Sequence, residues 1–191
     1  MMLAHNQGAL LNVSQLGNNL MLDTKTVNRY LDLLVDLLLV RRLLPWHSNL
    51  GKRLVKSPKV YIRDSGLLHA LLNISDFDML LGHPVVGGSW EGFVIENLLN
   101  AAPSSSTAGF YRSSSGAEID LIIQLPQQGI WAIEIKRSSS AKPRQGFYNA
   151  CADINPQQRF VVQGGHERYP IGEGVEVIGL RLLVELLEQA N

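Results

Sequence analysis

Apolar and polar positions along this chain follow two different periods, and the change of period divides it. In the N-terminal part the apolar residues recur at helical spacing. Asn12 precedes the stretch Val13 to Leu20, which predicts a short helix behind an asparagine cap, and Met21-Leu22-Asp23 predicts a tight turn. The next helix is expected to open at Asp23 or Thr24. It lines up Val27, Tyr30, Leu31, Leu34, Val35 and Leu38 on one face and carries Lys25, Asn28 and Arg29 on the other, in its first two turns. Val40 to Leu44 then reads as a strand stopped by Pro45, Trp46 to Ser57 as a loop, and Val60-Tyr61-Ile62 as the return strand. Two helices around a tight turn, followed by a hairpin, predict a winged helix-turn-helix domain over residues 1–80.

A break is expected between Asp76 and Gly88, where Gly82, Pro84, Gly87 and Gly88 cluster. Residues 81–191 make the second domain. It starts with a helix from Trp90 to Ala101 and then changes to a period of two. Ile119, Leu121, Ile123 and Leu125 alternate with polar residues, as do Trp131, Ile133 and Ile135, and Pro126-Gln-Gln-Gly129 joins the two runs as an antiparallel hairpin. A helix-like stretch from Lys142 to Asp153 holds Cys151 as a small core residue, Arg159 to Val162 reads as a further strand, and Leu180 to Leu187 as a closing amphipathic helix. The fold class is α/β, or α+β overall.

Composition narrows the function classes. Apolar residues make up 46 % and charged residues 18 %, enough to bury real cores. One cysteine excludes an intramolecular disulfide framework and a cysteine-based zinc site, and the five histidines lack metal-ligand spacing. The most apolar stretch, Leu31 to Leu44, is interrupted by Asp32, Asp36, Arg41 and Arg42, and no segment has the roughly 18 apolar residues of a membrane span. A cytoplasmic protein without a membrane partner is expected, and a homo-oligomer is compatible with it. The 17 basic and 17 acidic residues cancel, but residues 1–80 carry nine against six, hence +3, and residues 81–191 carry eight against eleven, hence −3. Arg41 to Arg63 holds seven basic residues and no acidic one. Such a run is either a solvated face or a phosphate-contacting surface. Lys25, Asn28 and Arg29 at the start of the second helix would meet base edges, and Lys52, Arg53 and Lys56 in the hairpin loop would meet phosphates. DNA is the expected partner; a winged helix used for protein contact is the alternative.

The hairpin carries the chemistry. If Gln124 pairs with Ile130, Asp120 lies opposite Glu134 and Glu118 opposite Lys136, with Cβ atoms about 4.5–5.5 Å apart. A register shifted by one residue would turn Asp120 to the far face. Two facing carboxylates repel, and a divalent cation between them reverses that sign. Mg²⁺ or Mn²⁺ suits carboxylate, carbonyl and water oxygens, and Lys136 could orient an attacking water or steady a phosphate. In the preceding helix Glu91 is expected on the apolar face, where an acid is costly unless paired or bound, and Glu96 in the polar strip. A buried salt bridge from Glu91 to Arg112 or Lys136 is the structural alternative.

Glu91, Asp120 and Glu134-Ile135-Lys136 together resemble the PD-(D/E)xK nuclease pattern, with Ile119 where that motif has proline. The chain from Leu11 onward is similar to the DUF4143 unit of bacterial and archaeal AAA-type ATPases. The similar stretches are Thr26 to Leu31, Lys52 to Lys59, Tyr61 to Gly66, Trp90 to Leu98, Gly116 to Asp120 and Ile133 to Lys136. The resemblance implies a winged helix followed by a restriction-endonuclease-like core, with catalytic Glu91, Asp120, Glu134 and Lys136 and metal on Asp120 and Glu134. No Gly-x-x-x-x-Gly-Lys-Ser/Thr loop is present, so no ATPase activity is expected from this chain. The expectation is the C-terminal part of a larger ATPase, or a catalytically silent targeting or interaction module of one.

Overall fold

The computed structural model describes residues 1–46, 54–138 and 142–190. Among them the order is α1 (Met2–His5), α2 (Val13–Leu20), α3 (Thr24–Asp36), β1 (Val40–Leu43), β2 (Lys59–Ile62), α4 (Ser65–Leu71), α5 (Phe77–Gly82) and α6 (Val86–Ala101), then β3 (Thr107–Arg112), β4 (Glu118–Leu125), β5 (Gly129–Ile135), α7 (Gln145–Ile154), β6 (Gln158–Gln163), β7 (Arg168–Gly172), β8 (Val175–Gly179) and α8 (Leu180–Glu188). The fold is mixed α+β. Two compact units account for it: Met1–Leu43 with Ser57–Phe93, and Leu44–Lys56 with Val94–Asn191. No helix among the described residues is long and apolar enough to cross a membrane.

In the first unit the expected caps form. The Asn12 side chain accepts from the Gln15 amide at 3.0 Å, and Asp23 accepts from the Thr26 amide at 2.9 Å and the Thr26 hydroxyl at 2.7 Å. The two bonds to Thr26, the hydroxyl first, hold the Asp23 carboxyl below its ordinary range. The apolar face of α3 is narrower than its periodicity predicts. Val27 and Leu31 are buried with Leu16, Val40 and Val60, whereas Tyr30 is 59 % and Leu38 67 % exposed. Leu38 lies past the end of α3 with φ +57°, so it no longer follows the helical face. β1 and β2 pair antiparallel from Val40 with Ile62 to Leu43 with Lys59. The N-terminal segment covers the other edge of β2, through Gly8 N–H to Val60 O at 2.8 Å and Leu11 N–H to Pro58 O at 2.8 Å.

The expected break between Asp76 and Gly88 is helical instead. Asp76 caps α5 by accepting from the Met79 amide at 2.8 Å, and α6 has already begun at Val86. Gly88 marks a close approach rather than a turn: a Cβ there would lie 2.6 Å from the Gln7 carbonyl oxygen. The boundary between the units falls inside α6, after Phe93.

The second unit is a six-stranded sheet in the order β3-β4-β5-β6-β8-β7. β3, β4 and β5 are antiparallel, β5, β6 and β8 parallel, and β7 antiparallel on β8. The parallel step from β5 to β6 is bridged by α7, as such crossovers require. The strand alternation predicts one buried face, yet residues of both faces of β4 and β5 are buried: Ile122 and Ala132 join Phe147, Ala150 and Cys151 of α7 in one core cluster. The expected loop from Trp46 to Ser57 also differs from a free wing. Its described ends lie on β3, with Trp46 N–H donating to Phe110 O at 2.6 Å and Val55 N–H to Arg112 O at 3.1 Å, which satisfies ladder groups of an edge strand.

Candidate functional site

The β4–β5 hairpin has the register in which Gln124 pairs with Ile130 and Leu121 with Ile133. Gly129 closes the turn at φ +76°, a left-handed conformation that favours glycine. Continued one step beyond Leu121 and Ile133, this register sets Asp120 across from Glu134, on the face away from Leu121 and Ile133.

Each carboxylate is held. Asp120 Oδ2 accepts from the Ile135 amide at 2.9 Å. Glu134 is buried, 6 % exposed, and its Oε1 lies 2.5 Å from Lys136 Nζ. Burial pushes the Glu134 carboxyl up to about 7, the Asp120 charge adds to the rise, and Lys136 opposes it. Glu118 also raises it, though the Glu118 carboxylate goes to Arg112 of β3, its cross-strand partner, at 3.8 Å rather than to Lys136.

The two glutamates of α6 exchange their expected settings. Glu91 is half-buried in the first unit, where its Oε1 accepts from Lys59 Nζ at 3.0 Å and from the Tyr61 hydroxyl at 2.7 Å. The expected ion pair exists, but its cation is Lys59, itself 4 % exposed, and not Arg112 or Lys136. Asp120, Glu134 and Lys136 belong to the second unit. Glu96, expected in a solvated strip, is 7 % exposed in the part of α6 that belongs to that unit. The helix there buries Val94, Ile95 and Leu98 completely, and solvent reaches Phe93 and Asn100 instead. The signal for Glu96 was its position between those apolar residues.

Of the basic residues, Lys25, Asn28 and Arg29 are exposed on the first two turns of α3, and Lys56 is exposed. Lys52 and Arg53 lie outside the described residues. Cys151 is a buried core residue, and burial pushes its thiol up to about 12.

The donor set fits a hard divalent ion in part. Two carboxylates face one another, the inner one destabilised as an anion by burial and by its neighbour, and a cation would relieve both costs. Among the described residues no group of three or more His, Cys, Asp and Glu is arranged to hold a metal. Backbone and water oxygens would have to complete the shell, which suits Mg²⁺.

Residues 86–183 match the model of a domain of unknown function, DUF4143, and residues 1–78 that of another, DUF8612. An uncharacterized protein of Mycobacterium bovis and one of Mycobacterium tuberculosis are each 40 % identical to this chain over 177 residues, 93 % of its length. The chain spans 40 % of the length of each of these curated relatives. No solved structure matches.

Proposed function

The chain belongs to the DUF4143 family, and we propose for it a metal-dependent phosphodiesterase-type site on a DNA-associated cytoplasmic protein that works with an ATPase module in a longer polypeptide. One observation carries this reading: Asp120 and Glu134 face each other on one hairpin with Lys136 against them, an arrangement of like charges that a structural hairpin has no reason to adopt. Asp120 and Glu134 would hold Mg²⁺ or Mn²⁺ with the Ile135 carbonyl, and the ion would activate water and neutralise the scissile phosphate. The buried Glu134 supplies a fixed anchor, and the Ile135 amide aims Asp120. Lys136 supplies the charge that steadies an entering phosphate. Glu91, committed to Lys59 and Tyr61, stiffens the first unit instead. Lys25, Asn28, Arg29 and Lys56 would contact DNA.

A second reading, a protein-interaction module, is favoured by the exposed side of α3. Leu33 and Leu37 are 51 % and 58 % exposed, and Asp32 and Asp36 share that exposed surface. Acids there repel phosphate, and the leucines suit a protein partner. The test is cleavage of duplex, branched and single-stranded DNA with Mg²⁺ or Mn²⁺. Wild-type chain should cut at least one form, and Asp120→Asn and Glu134→Gln should cut none. No cleavage of any form, or undiminished cleavage by Asp120→Asn, sends the assignment to the interaction reading.

A further inference from the structure

Two of the three charged groups at the hairpin are fixed and one has a way out. The Glu134 side chain is 8 % exposed and that of Lys136 23 %. Asp120 is pinned by the Ile135 amide. Lys136 follows the last residue of β5 and carries its charge on a flexible four-carbon stem. Its Nζ lies 2.5 Å from Glu134 Oε1, on the side where a ligated ion would need a lone pair.

Mg²⁺ sits about 2.0–2.1 Å from a carboxylate oxygen. With the ammonium still in place, an ion on Oε1 would be no farther from Nζ than about 4.6 Å, the two distances laid end to end. Two cations that close in a buried site repel strongly, because little solvent screens them. We propose that Lys136 is a displaceable internal cation: it neutralises Glu134 while no metal is bound, and a divalent ion enters by driving the ammonium off Oε1. The freed ammonium is then placed at the solvent side, where an anionic substrate arrives. The proposal rests on the metal-site reading and adds a penalty on metal binding that the lysine itself imposes.

Calorimetric titration of Mn²⁺ into wild type, Lys136→Gln and Lys136→Arg tests it. Lys136→Gln keeps a hydrogen-bond donor beside Glu134 but removes the competing charge, so it should bind Mn²⁺ about tenfold more tightly. Its melting temperature should be lower than wild type without Mn²⁺ and rise more when Mn²⁺ is added. Lys136→Arg keeps the charge in a planar fork that is harder to displace and should bind Mn²⁺ more weakly than wild type. If Lys136→Gln does not fold, tighter binding by Lys136→Arg overturns the proposal. Equal or weaker binding by Lys136→Gln also overturns it and leaves the metal site standing, as for an ion seated on Oε2 alone. Wild type and Lys136→Gln both failing to bind Mn²⁺ would overturn the metal site and the displacement together.

Discussion

Replacing Glu134 by Gln should stabilise the protein, and by an amount that depends on pH. Burial, then the Asp120 charge, raise the carboxyl from an ordinary 4.5 to about 7 against the pull of Lys136. The folded chain therefore holds a proton that the unfolded chain has released. Wild-type stability falls as pH rises from about 4.5 to about 7 and levels off above that. The gap is about 2.5 pH units at about 1.4 kcal/mol each, so the ionised Glu134 costs about 3 kcal/mol at pH 8. The side chain is 8 % exposed, and solvent screening takes little from that figure. Gln has the shape of the neutral acid and does not titrate. Urea unfolding of both proteins at pH 5, 6, 7 and 8 should give nearly equal stabilities at the acid end. The variant should lead by about 2–3 kcal/mol at the alkaline end, with unchanged urea slopes. Saturating Mn²⁺ should remove the wild-type deficit. A difference that stays constant with pH, or shrinks as pH rises, would refute the reasoning.

Asp120→Asn keeps an oxygen to accept from the Ile135 amide and relieves the repulsion, so its melting temperature without metal should hold or rise. Mn²⁺ should no longer raise it, and a marked fall without metal would instead make Asp120 part of a structural ion pair. Gly88→Ala places a Cβ 2.6 Å from the Gln7 carbonyl oxygen and should cost about 1–3 kcal/mol in urea unfolding; unchanged stability would contradict the close packing. Lys25→Ala with Arg29→Ala should flatten the dependence of log K for DNA on log salt by about 2 if both reach phosphates, and an unchanged slope would turn α3 toward protein contact.

Local signals were legible where a side chain bonds to its own neighbourhood. Asn12 and Asp23 cap their helices as short polar side chains before apolar runs do, and the β4–β5 register follows from a short glycine-containing turn. That register is also why Asp120 and Glu134 could be read as facing. What depended on distant partners was hidden. Lys59 looked like one more residue of a basic run, but the N-terminal segment covers it and Glu91 neutralises it. Gly87 and Gly88 looked like a linker, whereas Gly88 lets Gln7 approach a helix. Glu96 was misplaced because a helical wheel assumes one wet face, and the second half of α6 has apolar neighbours on most sides. Tyr30 and Leu38 fit an apolar stripe that the first unit fills only in part.

The central claim is that Asp120 and Glu134 form a divalent-ion site, and electron paramagnetic resonance of Mn²⁺ tests it without reference to any substrate. The six-line signal of free Mn²⁺ should be quenched on titration with the wild-type chain to a single bound ion, and should persist with Asp120→Asn and with Glu134→Gln at the same concentrations. A signal untouched by the wild-type chain, or quenched equally by all three proteins, would contradict the account.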